Sequence, residues 1–116
     1  TFLNEGEEVE CTVKSIRQTI GDKVEIIVIN DCSNDNYPYG ETLLPYHIHY
    51  IVNRERMGVG ASRDLGVKLC QTPYFILLDA HMRFYEKIWA GRIIEELEKN
   101  EKHVFYQKIR TREKQK

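Results

Sequence analysis

A carboxylate and an imidazole stand close together in ILLDAHMRF, where an apolar run ends in Asp79, Ala80 and His81. In an extended chain alternate side chains point the same way, so Asp79 and His81 could share one divalent cation. The carboxylate suits hard ions such as Mg²⁺, whereas the imidazole shifts the preference towards Mn²⁺ or another transition metal. The simpler interpretation is that the tripeptide ends a strand in solvent. The buried strand predicted just before it favours the metal site.

Two further residues could bind a nucleotide or a phosphate. Asp31 follows the apolar run VEIIVIN and could accept hydrogen bonds from a ribose or a base N–H, although closing an Asx turn is an equally good interpretation. Arg63 could neutralise a phosphate or pair with an acid, or it could be an ordinary surface arginine. Gly58 and Gly60 lack the spacing of a dinucleotide fingerprint or a P-loop.

Other candidate residues favour structural roles. His47 and His49 are better explained as the exposed side of an edge strand than as metal ligands. Trp89 is expected to anchor a helix to the core, with an aromatic shelf beside the Asp79–His81 loop as the alternative. The sequence suggests no Ser-His-Asp order and no thiol with a base partner, so a hydrolase has little support.

The elements that must position these residues alternate between helices and strands. Asn4 can cap the first helix, with Glu7 in the reciprocal capping position, and Gly21 can end it. The alternation predicts a parallel α/β sheet, whose ligands bind at the carboxyl ends of its strands. Polar clusters fall at those ends, at residues 1–5, 30–36 and 79–83. Periodicity predicts helices over residues 4–21, 58–71 and 85–100, and strands over residues 24–30, 47–52, 74–78 and 104–109.

Composition excludes several classes of protein. The chain has 116 residues, enough for one domain, and its net charge of −1 gives no indication of a nucleic-acid partner. The three cysteines are too few for a disulfide framework and fit reduced thiols in a cytoplasmic protein. No stretch reaches membrane-spanning length and no signal peptide opens the chain. The first residues resemble the end of a strand, so we expect the chain to be part of a longer one.

Four motifs together resemble family 2 glycosyltransferases with the GT-A fold. TFLNE is similar to the T-x-Y-N-E that ends their first strand, and VEIIVINDCSND to their second strand with its DD-x-S-x-D ending. GVGASRDLGVKL is similar to their G-x-x-x-A-R-N-x-G helix, and YFILLDAH to the strand that delivers their Asp-x-Asp metal motif. The motifs occur in family order over nearly the whole chain. Two local features resemble polypeptide N-acetylgalactosaminyltransferases, namely Asp-x-His followed by Trp89 and the run from Arg54 to Arg63. We do not infer protein O-glycosylation from this local resemblance.

The resemblance implies a truncated, Rossmann-like GT-A nucleotide-binding half, with a mainly parallel sheet flanked by helices. Uracil would contact Thr1 and Leu3, and its N–H would donate to Asp31. Leu3 stands where the family usually has an aromatic residue, and Asn30 and Asp64 also depart from the family pattern. The residues implied to bind the donor are Thr1, Leu3, Glu5, Asp31, Arg63 and Asp79, and those implied to hold Mn²⁺ or Mg²⁺ are Asp79 and His81.

The implied activity is metal-dependent transfer of a sugar, of the hexosyltransferase type, from a UDP-sugar to a hydroxyl of a carbohydrate or another acceptor. The family's general base lies downstream, so no residue here is assigned as catalytic and this segment alone is expected to be inactive. Regions outside the segment could add peripheral membrane association. The alternatives are a non-catalytic nucleotide- or metal-binding module of the same fold and a response-regulator-like interaction domain. The response-regulator-like domain requires a lysine at the end of a later strand, and the sequence offers no good candidate for that lysine.

Overall fold

The computed structural model describes residues 1–85 together with Arg92, Glu95 and Glu98. Helices and strands alternate along this part of the chain, as the sequence predicts. Short 3-10 turns follow the first two helices, at Gly21–Lys23 and Leu44–Tyr46. The elements are α1 (Glu7–Ile20), β1 (Ile27–Asn30), α2 (Tyr39–Leu43), β2 (His49–Val52) and α3 (Val59–Leu69).

The two strands form a parallel sheet, in which Ile27 pairs with His49 and Asn30 pairs with Val52. An isolated parallel bridge joins Phe2 to Asn30 on the other edge of β1. Phe2 N donates to Ile29 O at 3.0 Å, and Asp31 N donates to Phe2 O at 2.9 Å. The first residues therefore run alongside β1 in the same direction. This arrangement confirms the predicted parallel α/β class.

α1 covers the sheet with the apolar face that its sequence predicts. Val9, Val13, Ile16 and Ile20 recur at helical spacing, and all four are buried. The helix ends at Gly21, whose φ of 61° is a conformation that glycine adopts without strain. The predicted cap at the start is wrong: the capping position is held by Gly6, which offers no side chain.

Arg17 joins the end of α1 to the two loops that precede the strands. Its guanidinium donates to Gly21 O and Val24 O before β1, at 2.9 and 2.7 Å. It also donates to Tyr46 O and His47 O before β2, at 2.9 and 3.0 Å. A planar guanidinium with five donors suits this role, because it can satisfy four carbonyl groups that approach from different directions.

The strand predicted over residues 74–78 is wrong. This segment contains no assigned strand, and its side chains are largely exposed, Phe75 at 51% and Leu77 at 50%. A cavity of about 480 Å³ separates the segment from β1. Because β pairing requires a neighbouring strand at about 4.8 Å, an extended segment without such a neighbour does not form a strand. Leu78 is the exception, since it packs against Ile16 and Ile20.

The remaining predicted elements differ mainly at their ends. The first strand begins at Ile27 instead of residue 24, and the second begins at His49, because His47 adopts a left-handed φ of 53°. α3 confirms the helix predicted after Gly58. The helix and strand predicted over residues 85–100 and 104–109 lie outside the described residues, except at Arg92, Glu95 and Glu98, which are helical and exposed. In the described part of the chain, no helix is long and apolar enough to cross a membrane.

Candidate functional site

A guanidinium and a carboxylate from distant parts of the chain meet beside the sheet. Arg63 Nη2 lies 3.0 Å from Asp79 Oδ1, and the two side chains are 37% and 32% exposed. α3 supplies Arg63 about one turn after its start at Val59. An ion pair this open contributes little to stability. It does, however, leave both charges accessible to a ligand.

The first residue of the chain reaches the same place. Thr1 lies close enough to the Arg63 guanidinium and the Asp79 carboxylate for both charges to act on its backbone nitrogen. Thr1, Arg63 and Asp79 also line the cavity between β1 and residues 74–78. The structure thus brings together three of the predicted site residues beside β1.

The loop after β1 is hydrogen-bonded to residues 1–5. Asn4 N donates to Ser33 Oγ at 2.9 Å, and Asn4 Nδ2 donates to Asn34 Oδ1 at 2.8 Å. Asn34 N donates back to Asn4 Oδ1 at 2.8 Å. Asn4 therefore joins two loops at the carboxyl end of the sheet, which explains why it does not cap α1. Leu3 is 37% exposed at this edge, and Glu5 is half-buried.

Asp31 is buried, with 6% of its surface exposed, and its carboxylate faces the loop that leads into α3. Met57 N donates to Oδ1 at 2.8 Å, and Gly58 N donates to Oδ2 at 3.0 Å. The hydrogen bonds from Met57 N and from the Asn53 amide hold the pKa of Asp31 below its usual value, although burial opposes them. In this structure Asp31 thus fixes the loop before α3, and its contact with a uracil N–H stays a prediction.

Two buried residues missing from our sequence analysis complete this network. Asn53 Nδ2 donates to Asp31 Oδ1 at 2.9 Å and is also 3.0 Å from Ser62 Oγ. Asn53 is 6% exposed, and Ser62 is fully buried. Polar side chains following a strand or inside a helix are usually solvated, so sequence alone gave no reason to select them. Together they connect β1, β2 and α3 behind Arg63.

The Asp79–His81 segment has a geometry that differs from the prediction. Ala80 and His81 form a turn, so the argument from an extended chain does not apply to them. Asp79 is half-buried beside Arg63, and His81 is exposed. Their joint binding of one ion stays a prediction, because it depends on the turn and not on strand periodicity.

Residues 82–84 are fixed to α1 by contacts that our sequence analysis missed. Met82 N donates to Thr12 Oγ1 at 3.0 Å, and Phe84 N donates to Ser15 Oγ at 3.1 Å. Arg83 Nη2 forms a 2.7 Å ion pair with Glu8 Oε2. A signal was present in the sequence, since Thr12 and Ser15 lie among the apolar positions of α1, where an unpartnered hydroxyl would be costly.

The remaining candidate residues do not join this site. His49 is exposed on β2, as predicted, and His47 precedes that strand. Across residues 1–85 and the three further described positions, no three His, Cys, Asp or Glu side chains are grouped closely enough to hold a metal ion. Trp89 lies outside the described residues.

Comparison with known proteins gives one clear relationship. No curated protein and no solved structure matches the chain. A protein-family match to "Glycosyl transferase family 2" extends over residues 1–116. Members of this family transfer sugars from nucleotide-sugar donors. The chain therefore belongs to glycosyl transferase family 2.

Proposed function

We propose that this chain binds a UDP-sugar together with a divalent cation, for metal-dependent transfer of a hexosyl group to an acceptor hydroxyl. The observation that carries the proposal is the 3.0 Å contact between Arg63 and Asp79. It gathers, on an accessible edge of the sheet, a permanent positive charge for phosphate and a carboxylate for a cation. Thr1 and the loop after β1 lie at the same edge, where a base could be bound.

The chemistry of Asp79 and His81 fits a cation that is shared with a ligand. The protein would supply two ligands, and the diphosphate and water would supply the others, which is common for Mg²⁺ bound with phosphates. The imidazole makes Mn²⁺ an equally good candidate. Bound there, the cation would supply Lewis-acid stabilisation of the charge that develops on the departing diphosphate.

The chain's own residues would orient the donor. The Arg63 guanidinium has five N–H donors, one of which contacts Asp79, so it can bind phosphate without leaving the carboxylate. Asp31 Oδ2 accepts a hydrogen bond from Gly58 N, and the same carboxylate would accept from a uracil N–H. Thr1, Leu3 and Glu5 would form the side of the base pocket. We propose a cytoplasmic location, which the free cysteines are consistent with.

Calorimetric titration with UDP, with and without Mn²⁺, tests this proposal. We expect Mn²⁺ to strengthen UDP binding to the wild-type chain. Asp79→Ala combined with His81→Ala should remove most of that gain, weakening binding by more than about tenfold, since changes outside the ligand shell alone cost this much. Equal affinity in the wild type and the double variant would exclude the metal role.

A matched control separates the site from a general loss of charge. Glu41 on α2 and His49 at the start of β2 are an exposed acid and an exposed histidine, and neither lines the cavity that holds Thr1, Arg63 and Asp79. Glu41→Ala combined with His49→Ala therefore removes one carboxylate and one imidazole away from the candidate site. UDP affinity in Mn²⁺ should remain at the wild-type value.

The second candidate is a non-catalytic nucleotide-binding module of the same fold. Transfer of a radiolabelled sugar by the full-length protein distinguishes the two candidates. Turnover supports the enzyme, whereas UDP binding without transfer or donor hydrolysis supports the module. We expect the segment of residues 1–116 to bind UDP without turnover.

A further inference from the structure

Two hydroxyl groups on the buried face of α1 hold the backbone that follows the Asp79–His81 turn. Thr12 and Ser15 are 5% and 8% exposed. Thr12 Oγ1 accepts from Met82 N at 3.0 Å, and Ser15 Oγ accepts from Phe84 N at 3.1 Å. Both bonds come from backbone far along the sequence, so they attach this segment to α1.

All the hydrogen-bonding capacity of the Thr12 hydroxyl is in use. It donates to Glu8 O at 3.0 Å and accepts from Met82 N and from Arg83 Nη1, the latter at 3.4 Å. A hydroxyl has one donor and two acceptor positions, so none remains. Met82 is 7% exposed, and water cannot easily replace the Thr12 oxygen there. Removing the hydroxyl therefore leaves a buried N–H without an acceptor.

We propose that Thr12 is a positioning residue for the cation site. Met82 directly follows His81, so its bond to Thr12 fixes the downstream end of the turn. The Arg63–Asp79 contact restrains the upstream end. The Arg83–Glu8 ion pair, at 2.7 Å, is a second attachment of the same segment to α1. This inference rests on the proposed function, since it assumes that Asp79 and His81 bind a cation.

The proposal is tested by measuring Mn²⁺ binding in the presence of saturating UDP. The electron paramagnetic resonance signal of free Mn²⁺ reports the unbound ion. Thr12→Val keeps the shape of the side chain and removes the hydroxyl, and it should weaken Mn²⁺ binding by about tenfold, as other outer-shell changes do. Thr12→Ser keeps the hydroxyl and should bind Mn²⁺ as the wild type does.

Ser15→Ala is the matched control, because it removes a hydroxyl of similar burial on the same helix face. Its partner, Phe84, is farther along the chain from His81. Ser15→Ala should lower the unfolding temperature and leave Mn²⁺ affinity unchanged. A purely structural role for Thr12 predicts instead that Mn²⁺ affinity follows the unfolding temperature in both variants.

The outcomes distinguish this inference from the proposed function. If the wild type binds no Mn²⁺, both are overturned. If the wild type binds Mn²⁺ and Thr12→Val binds it equally well, only the positioning role is overturned. Should Thr12→Val fail to fold, Glu8→Gln loosens the same segment by weakening the ion pair with Arg83. Unchanged Mn²⁺ affinity in Glu8→Gln would then overturn the positioning role, and weaker binding would support it.

Discussion

Replacing Asp31 by asparagine should destabilise the fold strongly, although the two side chains have nearly the same shape. The carboxylate is 6% exposed and accepts bonds of 2.8 to 3.0 Å from Met57 N, Asn53 Nδ2 and Gly58 N. An asparagine oxygen can serve Met57 and Asn53, but its amide group then faces Gly58 N–H, donor against donor. One unsatisfied buried N–H and two weakened bonds together give a loss of about 3 kcal/mol. This is a large part of the 5–15 kcal/mol that ordinarily stabilises a domain.

Urea unfolding of the wild type, Asp31→Asn and Asp64→Asn measures this loss. Asp64 is an exposed acid on α3, so its variant removes the same charge from a solvated position and should change stability by less than about 0.5 kcal/mol. A loss below about 1 kcal/mol in Asp31→Asn would refute our view that the carboxylate holds the loop before α3.

The pH dependence of the same measurement is an independent check. Hydrogen bonds lower the pKa of Asp31 in the folded state. The stabilisation is therefore complete above the unfolded-state pKa, about 3.9, and is lost as the pH falls through the folded-state value. The difference in stability between the wild type and Asp31→Asn should shrink in acid. A constant difference from neutral pH to pH values near 2 would contradict the assigned cause.

Three further predictions follow from other parts of the fold. Arg17→Met should lower the free energy of unfolding by about 3 kcal/mol, because four carbonyl groups lose their donor, and thermal unfolding measures the loss. Burial raises the pKa of Tyr39 and Tyr46 to about 12, and hydrogen bonds to Asp35 and Glu10 are the second causes. Ultraviolet titration should therefore find both phenols still protonated above pH values near 10. The free energy of unfolding should fall as the pH rises above that value, because the phenols then ionise in the unfolded state first. We also propose that the chain is part of a longer one, and that residues preceding Thr1 pair with β1 as Phe2 does and occupy the cavity beside it. Amide hydrogen exchange at Ile29 should then be slower in the longer chain than in residues 1–116, and equal exchange rates would contradict this proposal.

The parts of the fold that sequence predicted well are those with a local cause. The spacing of Val9, Val13 and Ile16 defines the buried face of α1, and Gly21 ends the helix because its positive φ favours glycine. The segment over residues 74–78 is apolar enough for a buried strand, yet it has no strand partner in the described structure. Strand formation depends on a neighbour, and the identity of that neighbour cannot be inferred from the segment itself.

The candidate site shows the same difference between features with a local cause and features that depend on distant parts of the chain. The rule that ligands gather at the carboxyl ends of parallel strands selected residues 1–5 and 79–83, and in the structure Thr1 and Asp79 line one cavity with Arg63, although Asp79 follows no strand. It could not predict the turn at His81, because Thr12 fixes the backbone there from a helix far away in sequence. Nor could it predict that Asp31 would use its carboxylate on Met57 and Gly58, since those contacts depend on how the loop closes in three dimensions.

The most direct test of the central claim is a crystal structure of the chain with UDP and Mn²⁺, with the metal located by its anomalous signal. We predict a Mn²⁺ peak within bonding distance of a carboxylate oxygen of Asp79 and an imidazole nitrogen of His81. The diphosphate should contact both the ion and the Arg63 guanidinium. A Mn²⁺ ion bound to the diphosphate but remote from Asp79 and His81 would contradict the account.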